Sequence, residues 1–208
     1  ENEIRQHVPM VYYHVWDNYP YPTFNRPSYL SNDHIACISK LTHDIVQNVV
    51  PEVDSSYMPH AVSPDSFKKL PEEQVAAFRA QKGLDEKFVC FWNSRNARRK
   101  QSGTLIWWFK EFLDRVGRDK ATLIMHTDVK DVHGQDLEAI IRKLGLTAGE
   151  VQFSKEKVGL DDLGMIYNVA DITIAISDAE GFGLSTLESL ACETPILVNM
   201  TGGLPFQV

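Results

Sequence analysis

The first thing missing from this 208-residue chain is a long apolar run: none approaches the ~18 residues needed to cross a bilayer, so no spanning helix is expected. Positive charge is also in deficit. With 21 Lys and Arg against 28 Asp and Glu, the formal charge is −7, which argues against a nucleic-acid binder working through a general basic field. Cysteine is scarce. Cys37, Cys90 and Cys192 are odd in number and each sits in an apolar context, so reduced, buried thiols in a cytoplasmic protein are expected. No Cys/His cluster has metal-ligand spacing, and Asp161-Asp162 is not a D-x-D pair; these acids read as the start of a helix. No metal and no cofactor is therefore expected. Glu1, Glu3 and Arg5 give a polar opening with no signal-peptide pattern.

What is present suffices for a packed core: 43% of residues are hydrophobic and 24% charged. The length allows one large domain or two small ones. Val8 to Trp16 is a β-branched and aromatic run of strand type, stopped by Asp17-Asn18 and the Tyr19-Pro20-Tyr21-Pro22 stretch. Residues 23–33 read as loop. His34 to Ser39 is a second strand, and Thr42 to Val50 fits a helix with Ile45, Val46 and Val49 on one face. Ser56 to Val62 is a third strand-like piece. A polar helix from Glu72 to Gln81, ended by Gly83, lies in a natural linker over residues 66–87.

From Phe88 the pattern alternates strictly. Strand 88–92 precedes a helix with apolar residues at 105, 108, 109, 112, 113 and 116, and strand 121–125 precedes one at 137, 140, 141 and 144. Val151-Gln-Phe153 precedes a helix around Leu163 and Ile166; strand 172–176 precedes another with an apolar stripe of Leu187, Leu190, Ala191 and Cys192. Pro195 to Val198 is a fifth strand. Repeated β-then-α units imply a parallel, doubly wound sheet, whose ligands sit at the carboxyl ends of strands.

Two stretches lie at such ends. Asn93-Ser-Arg95-Asn-Ala-Arg-Arg-Lys100 holds four cations, and a fork and a point charge five residues apart can neutralise a diphosphate from two sides. Arg98 and Arg99 read as solvent-facing. The other stretch is Glu180-Gly-Phe-Gly-Leu-Ser-Thr-Leu-Glu188. Gly181 and Gly183 let a ligand approach the backbone, helix-start N–H groups suit anions, and the carboxylates suit sugar hydroxyls. The plainer alternative for Ser185 and Glu188 is an S-x-x-E capping box, with Glu180 an ordinary loop acid.

Two carboxylates with seven residues between them, glycines and a Leu-Ser among these, resemble the E-x7-E motif of retaining GT-B glycosyltransferases of the group 1, family 4-like kind. Arg95 and Lys100 match the spacing of that family's G-R-x-x-x-x-K-G turn, with Ser94 and Gln101 in place of its glycines. Thr201-Gly-Gly203 is similar to its glycine pair near the donor sugar, and Phe153-Ser154-Lys155 to its base-lining loop. His14, at the end of an aromatic strand, resembles its active-site His. Two departures stand out: His60-Ala61 replaces the usual Asn-Gly, and Ala191-Cys-Glu-Thr-Pro195 puts Glu193 where the family has Gly. A Glu there costs about 1 kcal/mol if the position needs φ > 0.

The resemblance implies a GT-B-like α/β fold: residues 1–65 part of an N-terminal, acceptor-side Rossmann-like domain, 66–87 a linker, and 88–208 a C-terminal nucleotide-sugar-binding domain. The chain reads as truncated, since it starts without Met near a strand and stops just after the glycine turn. The implied activity moves a sugar from a UDP- or GDP-type donor to an unidentified acceptor hydroxyl with retention, without metal. Arg95 and Lys100 would grip the leaving diphosphate, and Glu188 the ribose. Glu180 and the backbone of Gly181, Phe182, Gly183 and Leu184 would hold the sugar, and His14 would reach it. Ser154, Ser185, Gly202 and Gly203 complete the expected donor site. The alternatives are a non-catalytic or regulatory chain that binds nucleotide sugar, or a GT-B-fold epimerase or phosphorylase.

Overall fold

Eight short strands in two parallel sheets organise residues 2–154 and 157–208, the residues described by a computed structural model. Lys155, expected in the base-lining loop, lies outside them. The residues fall into two compact units: 1–61 with 179–184 and 200–208, and 62–178 with 185–199. These limits differ from the division at 65 and 87 expected from sequence. No helix among the described residues is long and apolar enough to cross a membrane.

The first unit holds α1 (Asn2–Arg5), β1 (Val11–His14), α2 (Arg26–Leu30), β2 (His34–Cys37), α3 (Lys40–Val49) and β3 (Asp54–Tyr57), with sheet order β1-β2-β3. Helix α3 starts where Ser39 caps it, its side chain accepting the Thr42 N–H at 3.1 Å. Its expected face, Ile45, Val46 and Val49, is buried on Tyr29, Ile35 and Cys37. Two expectations fail here. The stretch 23–33, read as loop, contains α2, which Pro27 helps to start and Tyr29 anchors in the core. The third strand is the polar Asp54–Tyr57 rather than Ser56–Val62. Pairing with β2 puts Cys37 opposite Tyr57, and Pro59, which has no N–H to donate, follows at once.

The second unit holds α4 (Glu72–Lys82), β4 (Phe88–Asn93), α5 (Ser102–Val116), β5 (Ala121–His126), α6 (Leu137–Leu144), β6 (Val151–Ser154), α7 (Leu160–Val169), β7 (Ile172–Ala175), α8 (Leu184–Ala191, its first residue grouped with the other unit) and β8 (Ile196–Val198). Strand order is β6-β5-β4-β7-β8, all parallel. Strand β4 shows why both faces must be covered. Cys90 and Trp92 enter a core with α5, β5 and α6, while Val89 and Phe91 enter a second core with Tyr167, Val169 and Cys192. The three thiols are buried, which pushes Cys37 and Cys192 up to about 11 and Cys90 up to about 12.

Three readings are corrected in this unit. Residues 66–87 are not a free linker: α4 packs on α7, and Phe67 and Leu84 are core residues. On α5 the buried stripe is Leu105, Ile106, Phe109 and Leu113, whereas Trp108, Phe112 and Val116 stay exposed, because the helix rests on the sheet along one side only. On α8 the buried side chains are Thr186 and Ser189, with Leu190 exposed. The Ser189 hydroxyl is satisfied by Thr173 Oγ1 at 2.8 Å, so a polar stripe is tolerated against β7.

Candidate functional site

From β4 the chain leads through α5 to β5 on one side, while β7 lies on the other. The carboxyl ends of β4 and β7 therefore flank the point where strand order reverses, the place where open parallel sheets bind ligands. Arg95 to Lys100 occupies this end of β4. Asn96 is buried and holds the turn to a distant loop: it donates to the Gln135 carbonyl at 2.8 Å and accepts the Gln135 N–H at 3.2 Å and the Ser102 hydroxyl at 2.8 Å. Gln135 Oε1 in turn accepts the Gly103 N–H at 2.6 Å. Gly134 lies so close that a Cβ there would sit 2.1 Å from the Asn96 carbonyl oxygen.

The cations of the turn differ in placement. Lys100 ends a 3-10 turn, Arg98–Lys100, and is half-buried. Arg98 is exposed, as expected. Arg99 is exposed too, although its guanidinium reaches Ser177 Oγ at 3.5 Å and its carbonyl accepts the Asp178 N–H at 2.8 Å. Arg95 is paired: Nε donates to Asp131 Oδ2 at 2.5 Å and an Nη to Oδ1 at 3.2 Å. The guanidinium holds the Asp131 carboxyl down to about 2. Gln101, standing for the family's glycine, keeps a left-handed backbone with φ 53°, and its amide donates to both Asp178 oxygens at 2.9 and 2.8 Å.

Glu188 projects from α8 onto β4 and α7. Tyr167 donates to its Oε2 at 2.6 Å, Asn93 donates to the same oxygen at 3.4 Å, and Asn93 also donates to the Tyr167 hydroxyl at 2.9 Å. Burial raises the Glu188 carboxyl above the usual range, against the lowering effect of these two donors. Burial beside this carboxylate also raises the Tyr167 phenol, which therefore stays protonated and donating. The capping-box alternative does not describe this residue: α8 begins at Leu184, so Ser185 lies inside the helix rather than at its cap. Ser154 ends β6, with its hydroxyl 2.9 Å from His126 Nδ1.

The other half of the nine-residue string belongs to the first unit. A Cβ at Gly181 would meet Val15 Cγ2 at 2.3 Å, and Phe182 is buried edge-on against His60, with ring centroids 5.2 Å apart. Gly183 has φ 94° and Leu184 is exposed. The glycine pair stacks onto this turn: the Gly203 N–H donates to the Glu180 carbonyl at 2.8 Å, and a Cβ at Gly202 would lie 1.8 Å from that same oxygen. Gln207 donates to the Phe182 and Gly183 carbonyls at 2.5 and 3.1 Å. His14 is 2% exposed, with Nε2 2.7 Å from the Tyr29 hydroxyl, while Nδ1 is a buried atom with no hydrogen-bond partner. Desolvation lowers its pKa to about 4, so the ring is neutral at pH 7.

The structure thus gathers Arg95, Lys100 and Glu188 around the β4 end of one sheet, and Glu180 to Leu184 with Gly202 and Gly203 in one folded turn of the other unit. Sequence reasoning missed Asp131, Tyr167 and the bracing role of Asn93 and Asn96. Asn93 and Asn96 carried a signal only as members of the basic stretch, and Asp131 and Tyr167 carried none.

A family model described as Glycosyl transferases group 1 matches residues 75–208, well over half of the chain. The D-inositol 3-phosphate glycosyltransferase of Corynebacterium jeikeium is 34% identical over 103 residues, covering 47% of this chain and 24% of that protein. The alpha-monoglucosyldiacylglycerol synthase of Acholeplasma laidlawii is 25% identical over 174 residues, covering 82% of this chain and 42% of that one. Among solved structures, Anabaena Alr3699/HepE in complex with UDP and glucose superposes with a TM-score of 0.79 at 18% identity, over 99% of this chain and 56% of that one. An alpha,alpha-trehalose 6-phosphate synthase from Burkholderia multivorans gives 0.77 at 12%, over 97% and 54%. These likenesses show the GT-B fold, and the chain spans about half or less of the length of each of these four proteins.

Proposed function

Because the chain belongs to the Glycosyl transferases group 1 family, we propose that it serves transfer of a hexose from a nucleoside diphosphate sugar to an acceptor hydroxyl, with retention at the anomeric carbon. One observation carries the reading. A cation-bearing turn and a hydrogen-bonded, half-buried glutamate share the carboxyl end of one parallel strand, where diphosphate and ribose need opposite chemistries side by side. Arg95 and Lys100 stabilise charge on the departing diphosphate, the step where preorganised electrostatics helps most. Glu188 accepts ribose hydroxyls through Oε1, since Tyr167 and Asn93 both donate to Oε2. Glu180 and the Gly181 to Leu184 backbone bind the sugar. His14 contributes Nδ1, the ring nitrogen without a partner, as a neutral hydrogen-bonding group. The names above agree with this chemistry: one relative is a glycosyltransferase, another a monoglucosyldiacylglycerol synthase, and Alr3699/HepE is in complex with UDP and glucose.

Calorimetric titration with UDP, GDP and their glucose conjugates tests it. The wild-type chain is expected to bind one nucleoside diphosphate with EDTA present, cations of the turn taking the place of a metal. Arg95→Ala or Lys100→Ala should weaken that binding at least tenfold, the scale of a lost charge-assisted contact, and Arg98→Ala far less. Glu188→Gln should weaken nucleotide binding, while Glu180→Gln should weaken only the sugar conjugate. Equal losses at Arg95, Arg98 and Lys100 would reduce the turn to a diffuse basic patch.

A further inference from the structure

Asp131 is the acidic partner that the basic turn did not advertise. Its carboxylate takes the Nε edge of the Arg95 guanidinium in a fork, 2.5 and 3.2 Å. A guanidinium has two such forks, and this pairing leaves the terminal Nη edge directed away from Asp131. Exposure is divided unequally: the Arg95 side chain is 63% exposed and the Asp131 side chain 9%. The anion is the fixed member. Asp131 Oδ1 also accepts the His133 N–H at 2.9 Å, the Asp131 carbonyl accepts the Gly134 N–H at 2.9 Å, and Gln135 fastens the same loop to Asn96. We propose that Asp131 is a positioning residue, holding Arg95 by its inner edge so that its outer edge meets the donor diphosphate. This rests on the donor reading above. Holding a five-donor side chain in one orientation before the ligand arrives removes an ordering cost from binding. The carboxyl stays ionised across the neutral range, so the hold is permanent at working pH.

The opposite role is a decoy: an internal anion that must leave before phosphate can enter. Titration of the full chain with UDP and GDP, carrying forward the tighter ligand, separates the two. Asp131→Asn keeps size and a backbone-accepting oxygen but loses the charge and one acceptor, and is expected to weaken diphosphate binding about tenfold. Asp131→Glu should recover part of the loss. In an Arg95→Ala background the Asp131→Asn change should have no further effect, and affinity for the bare nucleoside should not move in any variant. Binding tighter than wild type in Asp131→Asn would overturn the positioning role in favour of the decoy. Loss of nucleoside affinity in Asp131→Asn would reduce Asp131 to a structural brace. If the wild-type chain binds neither nucleoside diphosphate, the donor reading itself fails and the positioning role falls with it; binding by wild type with an indifferent Asp131→Asn sinks the positioning role alone.

Discussion

The turn after β4 and the turn after β7 are built from different materials. The first is held by side chains: buried Asn96 and Ser102 and half-buried Gln135 form a closed network, and Asp131 fixes Arg95 from the same loop. The second is held mainly by backbone against backbone, with Gly202 and Gly203 lying on the Glu180 and Gly181 carbonyls and one side chain, Gln207, donating to the Phe182 and Gly183 carbonyls. A side-chain network can be retuned one residue at a time, because each substitution removes a bounded number of hydrogen bonds. Backbone contact has no such latitude, since a single Cβ displaces a whole turn. The charged grip therefore sits on the adaptable construction and the motif turn on the rigid one.

The largest expected effect tests the rigid turn. Gly202 has φ 56°, and a Cβ there would lie 1.8 Å from the Glu180 carbonyl oxygen. Gly202→Ala should cost about 3 kcal/mol or more, through strain at a left-handed position and a clash that no rotamer relieves. Urea unfolding followed by circular dichroism reads the loss. A cost under about 1 kcal/mol would mean that this turn yields as easily as the other, and the contrast would dissolve.

Next in size is the side-chain turn. Asn96→Ala removes three hydrogen bonds and leaves both backbone groups of Gln135 without their partner. The expected loss is about 2–3 kcal/mol, and Asn96→Asp should recover only the acceptor half of it. Because the loop bearing Asp131 is fastened through this residue, nucleoside diphosphate affinity should fall in the same variant. Full stability loss with unchanged affinity would separate the network from the grip.

Much of this was readable in the sequence, for physical reasons that differ by region. The β4 to β8 alternation was legible because both faces of a parallel sheet are covered, giving apolar runs separated by helical periodicity. Gly83, read as the end of its helix, has φ 66°, and Glu193, standing where the family has Gly, has φ 59°, so the condition attached to its cost is met. β3 was misplaced because its strand character comes from pairing with β2 rather than from its own Asp-Ser-Ser-Tyr. The Asp131–Arg95 and Gln135–Asn96 contacts join residues 36 and 39 positions apart, and no local pattern marks them. In the α5 stripe, periodicity gave the apolar residues, but it could not say that only one side of the helix would meet the sheet.

The smallest expected effect asks whether left-handed positions need glycine at all. Gln101 and Glu193 both stand where the family pattern has Gly, and both keep positive φ, 53° and 59°. Their side chains differ. Glu193 makes one exposed ion pair, to Lys69 at 2.9 Å, and exposed pairs contribute little. Glu193→Gly should therefore stabilise the chain by roughly 0.5–1 kcal/mol, the strain relieved less the entropy glycine adds to the unfolded chain. Gln101 donates to both Asp178 oxygens and accepts the Thr104 hydroxyl at 2.9 Å, so Gln101→Gly relieves the same strain while removing three hydrogen bonds. That variant should be neutral or destabilised. The two glycine variants, compared by urea midpoint at constant slope, measure what side chains contribute to the first turn beyond its backbone. Equal stabilisation by both would mean that the Gln101 contacts to Asp178 and Thr104 hold nothing, and that the first turn is kept by its backbone like the second.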